Sequence, residues 1–178
     1  MSLKLFVGGV EKQELLKQLR EAQILLNPLA EVLFSDERFT TSQVRNQVEV
    51  VQVTVAALGL LEGGTFDQII QSAASQGMAL CPLELGPHLR LFMLEQAEGA
   101  IRQPATENQA PTGSITIASA ELSTDEDVPK GFYLRCIEGA LWLRGYCSLP
   151  GHIWSAQDVF VFLRTALCSL THPSSGTR

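Results

Sequence analysis

No run of lysine or arginine occurs in this chain, and 13 Lys+Arg stand against 19 Asp+Glu, for a formal net charge of −6. Duplex nucleic acid is held largely by clustered basic side chains that neutralise its phosphates, so a nucleic-acid role is not expected. Only a face assembled in three dimensions, from Arg90, Arg135 and Arg144, would supply local positive charge. A long apolar run is missing too: Val48 to Val55 is interrupted by Glu49, Gln52 and Thr54. That falls far short of the ~20 apolar residues a membrane helix requires. Glu11 and Lys12 arrive too early to leave room for the apolar core of a secretory leader. The expectation is a cytoplasmic protein with no membrane partner. Cysteine pairs are absent as well. Cys81, Cys136, Cys147 and Cys168 form no CxxC and no His/Cys spacing of a zinc site, so no metal and no cofactor are expected, and the four thiols read as small buried hydrophobes.

What is present is apolar content: 46% hydrophobic residues over 178 positions, enough to bury a core. A single globular domain over 1–170 with a flexible tail over 171–178 is the simplest division. Leu15, Leu16, Leu19, Ala22 and Leu26 recur at helical spacing, so a helix is expected over Glu11–Leu26 behind a flexible Gly8-Gly9 lead-in. Asn27-Pro28 reads as an N-cap and first helical position, predicting a second helix to Ser35. Val44–Val55 is dense in β-branched residues and predicts a strand, with a bulge where the alternation shifts phase at Val50-Val51. Thr65 predicts the cap of a helix from Phe66 to Gln76. Met78–Cys81 reads as a short apolar element, Pro82–Pro87 as a turn and His88–Leu94 as a strand. Glu95–Gly113 is poor in apolar residues and predicts a mobile loop bordering a site. Strands are expected at Ser114–Ser119, Gly131–Arg135, Ala140–Tyr146 and Asp158–Leu163, the middle two joined as a hairpin through Ile137-Glu-Gly139. An acidic exposed loop precedes the hairpin, and His152-Ile-Trp-Ser155 reads as a turn whose tryptophan plugs the sheet edge. Helices first and mainly antiparallel strands later is the α+β pattern, here N-terminal helices packed on a mainly antiparallel sheet.

The stretches "FVGGVEKQELL", "LCPLELGPHLRL", "GSITIAS", "PKGFYLRCIEGALWLRGY" and "HIWSAQDVFVF" together resemble a widespread family of uncharacterised bacterial single-domain, cytoplasmic proteins. The resemblance spans Phe6 to Phe162. Family members read a glutamine where Phe92 stands and a more strictly acidic run at Thr124–Asp127, and the family has no catalytic residues to carry over. Some members bear an automatic "helicase" label. ATP-driven translocation requires a glycine-rich phosphate loop ending in Gly-Lys-Ser/Thr and an acidic metal-binding motif. Gly8-Gly9 and Gly63-Gly64 are not followed by Gly-Lys, so helicase activity is rejected.

Three groups of residues could carry chemistry. Glu84, His88 and Arg90 are close in sequence; His88 as acid/base with Glu84 as its partner would suit a small enzyme acting on an anionic small molecule. As a strand, this segment would put His88 and Arg90 on one face. The second group is Tyr133, Arg135, Trp142 and Arg144. If the hairpin pairs in register, these four share a face suited to an anionic or planar ligand; the alternative is a set of cross-strand cation–π contacts and ion pairs with Glu138 or Asp158. Cys81 with His88 or His152 is the third, and its order matches no cysteine hydrolase. The leading expectation is a non-catalytic ligand-binding or protein-interaction domain, engaging a small anionic ligand or a protein partner where Arg90 meets Tyr133, Arg135, Trp142 and Arg144.

Overall fold

The computed structural model describes residues 1–99, 110–149 and 151–165. The N-terminal half runs β1 (Ser2–Val7), α1 (Lys12–Glu21), β2 (Leu25–Leu26), α2 (Pro28–Ser35), β3 (Asn46–Thr54), a 3-10 turn (Ala56–Leu58), β4 (Gly64–Thr65), α3 (Phe66–Ser75), β5 (Met78–Ala79) and α4 (Leu85–Phe92). The remainder is strands: β6 (Ile115–Ile117), β7 (Gly131–Ile137), β8 (Ala140–Tyr146), β9 (Ile153–Trp154) and β10 (Val159–Arg164). Eight strands make one sheet in the order β1-β3-β10-β6-β7-β8-β2, with β5 also paired to β10, while β4 and β9 form a separate two-stranded sheet. Only the β10–β6 and β2–β8 pairings are parallel. The protein is therefore α+β with a mainly antiparallel sheet.

Asn27 joins the helical layer to the strands. Its Oδ1 accepts the N–H of Ala30, capping α2, and also that of Gly145 in β8 (2.7 Å), while its Nδ2 donates to the Gly145 carbonyl. A Cβ on Gly145 would lie 2.6 Å from the Leu29 carbonyl carbon, so glycine there is what allows α2 to sit directly on the strand. The helix-bearing side of the sheet packs Leu19, Leu33 and Leu89 of α1, α2 and α4 against Leu5, Val50, Leu134 and Leu143. Phe34 and Phe132 approach to 5.4 Å, with Phe39 closing the group. Burying each such ring adds about 1.5–3 kcal/mol.

The opposite side is covered only in part. There Val51, Phe160 and Phe162 meet Ile69 and Ala73 of α3 and Trp154 of β9. Val50 and Val51 thus enter different cores, and the sequence phase shift marks a strand buried on both sides. The expected bulge is absent: β3 pairs without insertion, Val50 and Val51 facing Leu3 and Ser2 on one flank and Leu163 and Phe162 on the other.

Other expectations also need correction. The Gly8-Gly9 lead-in is pinned, with the Gly8 N–H donating to His88 Nε2 and the Gly9 N–H to the Ser42 carbonyl, and α1 stops at Glu21 because Gln23 takes a left-handed φ of 56°, freeing Leu25-Leu26 to pair with β8. His88–Leu94 is not a strand. Leu85 and Leu89, four apart and both fully buried, set a helical period in α4. Pro87 falls in its first turn, where a missing N–H costs nothing. Cys81 and Cys136 are buried as expected, but Cys147 is exposed. Cys168, the tail over 171–178 and the central part of the expected 95–113 loop lie outside the described residues. No helix among the described residues is long and apolar enough to cross a membrane.

Candidate functional site

The β7–β8 hairpin closes through Glu138 and Gly139, with φ of 50° and 74°, the left-handed pair that a two-residue turn requires. This fixes the register: Tyr133 faces Arg144 and Arg135 faces Trp142. Alternation then sends Phe132, Leu134 and Leu143 into the helix-covered core and Tyr133, Arg135, Trp142 and Arg144 to the other side. Trp154 of β9 meets Tyr146 at one end of that flank, and all four side chains are half-buried.

Arg144 is the centre of the group. Its Nε donates to the Tyr133 hydroxyl at 2.7 Å, and its guanidinium lies 5.0 Å from the Trp142 ring centre and 5.9 Å from that of Tyr133. Two other arginines are paired with carboxylates, Arg38 with Asp36 at 2.6 Å and Arg164 with Glu49 at 3.0 Å, while Arg45 lies over the Phe6 ring. Among the described residues, neither Arg135 nor Arg144 has a carboxylate at ion-pair distance, so of the expected alternative the ion pairs with Glu138 or Asp158 are not formed, while the cross-strand cation–π contact of Arg144 with Tyr133 is. Arg135 Nε is buried without an acceptor.

Beside this group lies a cavity of about 190 Å³ walled by Thr116, Tyr133, Tyr146, His152 and Trp154. Tyr146 stands edge-on to both Tyr133 and Trp154, at 6.4 and 5.7 Å. Burial, reinforced by Glu121, holds the Tyr146 phenol above its ordinary range, so it remains protonated. Two larger cavities adjoin it. One of about 460 Å³ carries Asp67, Glu121 and Glu126 against Lys130, whose Nζ is already held by Glu121 at 3.0 Å and by the Ser123 and Asp125 carbonyls. The other, of about 420 Å³, carries Glu95, Glu98 and Asp158.

Glu84, His88 and Arg90 do not converge. On α4, His88 and Arg90 project about 200° apart rather than sharing a face. His88 Nε2 accepts the Gly8 N–H (3.2 Å), and Glu84 Oε2 accepts the Ser42 N–H (3.1 Å). The two side chains are spent holding the loops around Gly8 and Ser42. Burial, then the charge of Arg45, lowers the His88 pKa, and burial raises that of Glu84. Arg90 is fully buried, on the helix-bearing side of the sheet, with Nη1 donating to Gln96 Oε1 (2.5 Å) and with Nε and Nη2 unpartnered. It therefore stands behind the sheet from Arg135 and Arg144, and the expected meeting of Arg90 with the hairpin arginines does not occur. Cys81 is buried, its thiol pKa pushed up by desolvation and its Sγ directed at the Val161 carbonyl, which leaves it no nucleophilic character.

Sequence reasoning missed Tyr146 and Trp154 as neighbours of the arginines. Tyr146 is two residues past Arg144 and so was legible by alternation; Trp154 arrives only through the β4–β9 pairing, Gly64 opposite Trp154, which no local signal announces. Comparison with protein-family models, curated proteins and solved structures gave no match.

Proposed function

We propose that this protein is a non-catalytic binding module whose ligand or partner presents an anionic group to the open flank of β7–β8. The observation that carries this reading is Arg144, stacked on Trp142 and held by the Tyr133 hydroxyl, with Arg135 one strand away and no carboxylate of the described residues pairing either cation. A guanidinium fixed in this way has lost much of its conformational freedom and keeps nitrogens for an incoming oxyanion. In a chain of net charge −6, two arginines on one half-buried face, with no carboxylate of the described residues at ion-pair distance, form a local field opposite in sign to the whole. That contrast favours selective capture of anions there. Residence in the cytoplasm and membership of the bacterial family that the motifs resemble are parts of the same proposal.

A thermal-shift screen with nucleotides, sugar phosphates and carboxylates tests it. A ligand at a hundred times its dissociation constant raises stability by about 2.7 kcal/mol, and that gain should vanish in the Arg135→Ala/Arg144→Ala double variant. Absence of a shift with every anion would remove the basis of the proposal.

A further inference from the structure

Resting on that reading, we propose that the cavity beside Arg144 is the seat of a monocyclic aromatic carboxylate, its ring enclosed by Tyr133, Tyr146 and Trp154 and its carboxylate on Arg144.

The size, the walls and the charges each narrow the ligand. At about 190 Å³ the space slightly exceeds the ~150 Å³ cavity known to admit a benzene ring, so it has room for one ring and a small substituent. Three of its walls are aromatic faces and edges, which favour a planar body over an aliphatic one of the same volume. Its charge environment separates it from its neighbours. None of its lining residues is Asp, Glu, Lys or Arg, whereas the two larger cavities each present three carboxylates and would repel an anion. The bridge to the cation is Tyr133: its ring lines the cavity, while its oxygen accepts from Arg144 Nε, leaving its own proton to donate. A ring held in the cavity would thus place a directly attached carboxylate alongside the Tyr133 hydroxyl, within reach of the free nitrogens of the Arg144 guanidinium that this hydroxyl holds. Thr116 and His152 supply further polar groups in the wall, the arrangement of a mostly apolar pocket with a few orienting groups.

The chain contains two tryptophans, Trp142 against Arg144 and Trp154 in the cavity wall. Intrinsic tryptophan emission therefore reports on this region alone. Benzoate should change it saturably, while acetate and benzyl alcohol bind at least about 10-fold more weakly. Arg144→Ala should weaken benzoate about 10- to 100-fold, the range for losing a hydrogen bond to a charged group. Arg144→Lys, which keeps the charge but loses the fork, should fall between, and melting curves of both variants confirm folding. If acetate or phosphate binds as tightly as benzoate, the ring seat is wrong while the anion-binding flank survives. Should benzyl alcohol match benzoate and ignore Arg144→Ala, the carboxylate contact is wrong. If no probe binds, the ring seat and the anion-binding flank both fall.

Discussion

The two faces of the β7–β8 hairpin share a backbone and differ in almost everything else. One presents Phe132, Leu134 and Leu143, all fully buried under α2 and α4. The other presents Tyr133, Arg135, Trp142 and Arg144, all half-buried. The first face belongs to the core; the second holds two arginines that no carboxylate of the described residues pairs. Arginine shows what separates them. Arg144 keeps a fixed but open guanidinium on the free flank, whereas Arg90 is sealed into the covered side with two nitrogens unsatisfied, where burial lowers its pKa to about 10.

The largest test of this contrast is Phe132→Ala. It removes a ring packed against Phe34 and Phe39 and should cost about 3–5 kcal/mol in denaturant unfolding, while Trp142→Ala, one strand away on the open flank, should cost much less. Next comes Asn27→Ala, which deletes the α2 cap and leaves the Gly145 N–H and carbonyl without their partner; a loss of about 2–3 kcal/mol is expected. If Asn27→Ala is neutral, the junction between helices and sheet is not where the covered face is secured.

Arg90→Met should change stability by less than about 1 kcal/mol or raise it, because a buried cation with one neutral acceptor and two unsatisfied nitrogens is readily replaced by an apolar side chain of similar length. A loss of several kcal/mol would mean that Arg90 has a strong partner. The smallest effect is in pH. The His88 pKa is depressed in the fold, so the unfolded chain binds the proton more readily. Its contribution to stability is present in full above the ordinary histidine pKa of 6.5 and is lost as pH falls through the folded value. Glu84, with a raised pKa, has the opposite sign: its contribution is present below 4.5 and lost as pH rises. As pH falls from 7 the two therefore oppose each other, and His88→Gln, which keeps an acceptor for the Gly8 N–H, should remove the declining part and leave the variant relatively more stable at the acid end.

Much of this fold was legible in the sequence. Asn27-Pro28 placed α2, Thr65 placed α3, where the structure completes a capping box with Gln68, and Ile137-Glu-Gly139 placed the hairpin, whose observed register brings Tyr133, Arg135, Trp142 and Arg144 together. What escaped has identifiable causes. In "LGPHLRLF" both a period of two and a period of four fit eight residues, and only burial of Leu85 and Leu89 against Phe132 decides for the helix. In β3 the double valine mimicked a bulge because burial on both faces erases alternation. Arg90 was misplaced as a consequence of the first error, since a strand would have turned it toward the hairpin and the helix seals it behind the sheet.

The claim on which the account turns is that anions bind the open flank of the hairpin. Backbone amide NMR of isotope-labelled protein, titrated with benzoate and separately with phosphate, tests it most directly. Saturable shifts confined to the amides around Tyr133, Arg135, Trp142, Arg144 and Tyr146 with at least one probe are predicted. Shifts that instead centre on Gly8, Ser42 and His88, or no shifts with either probe, would contradict it.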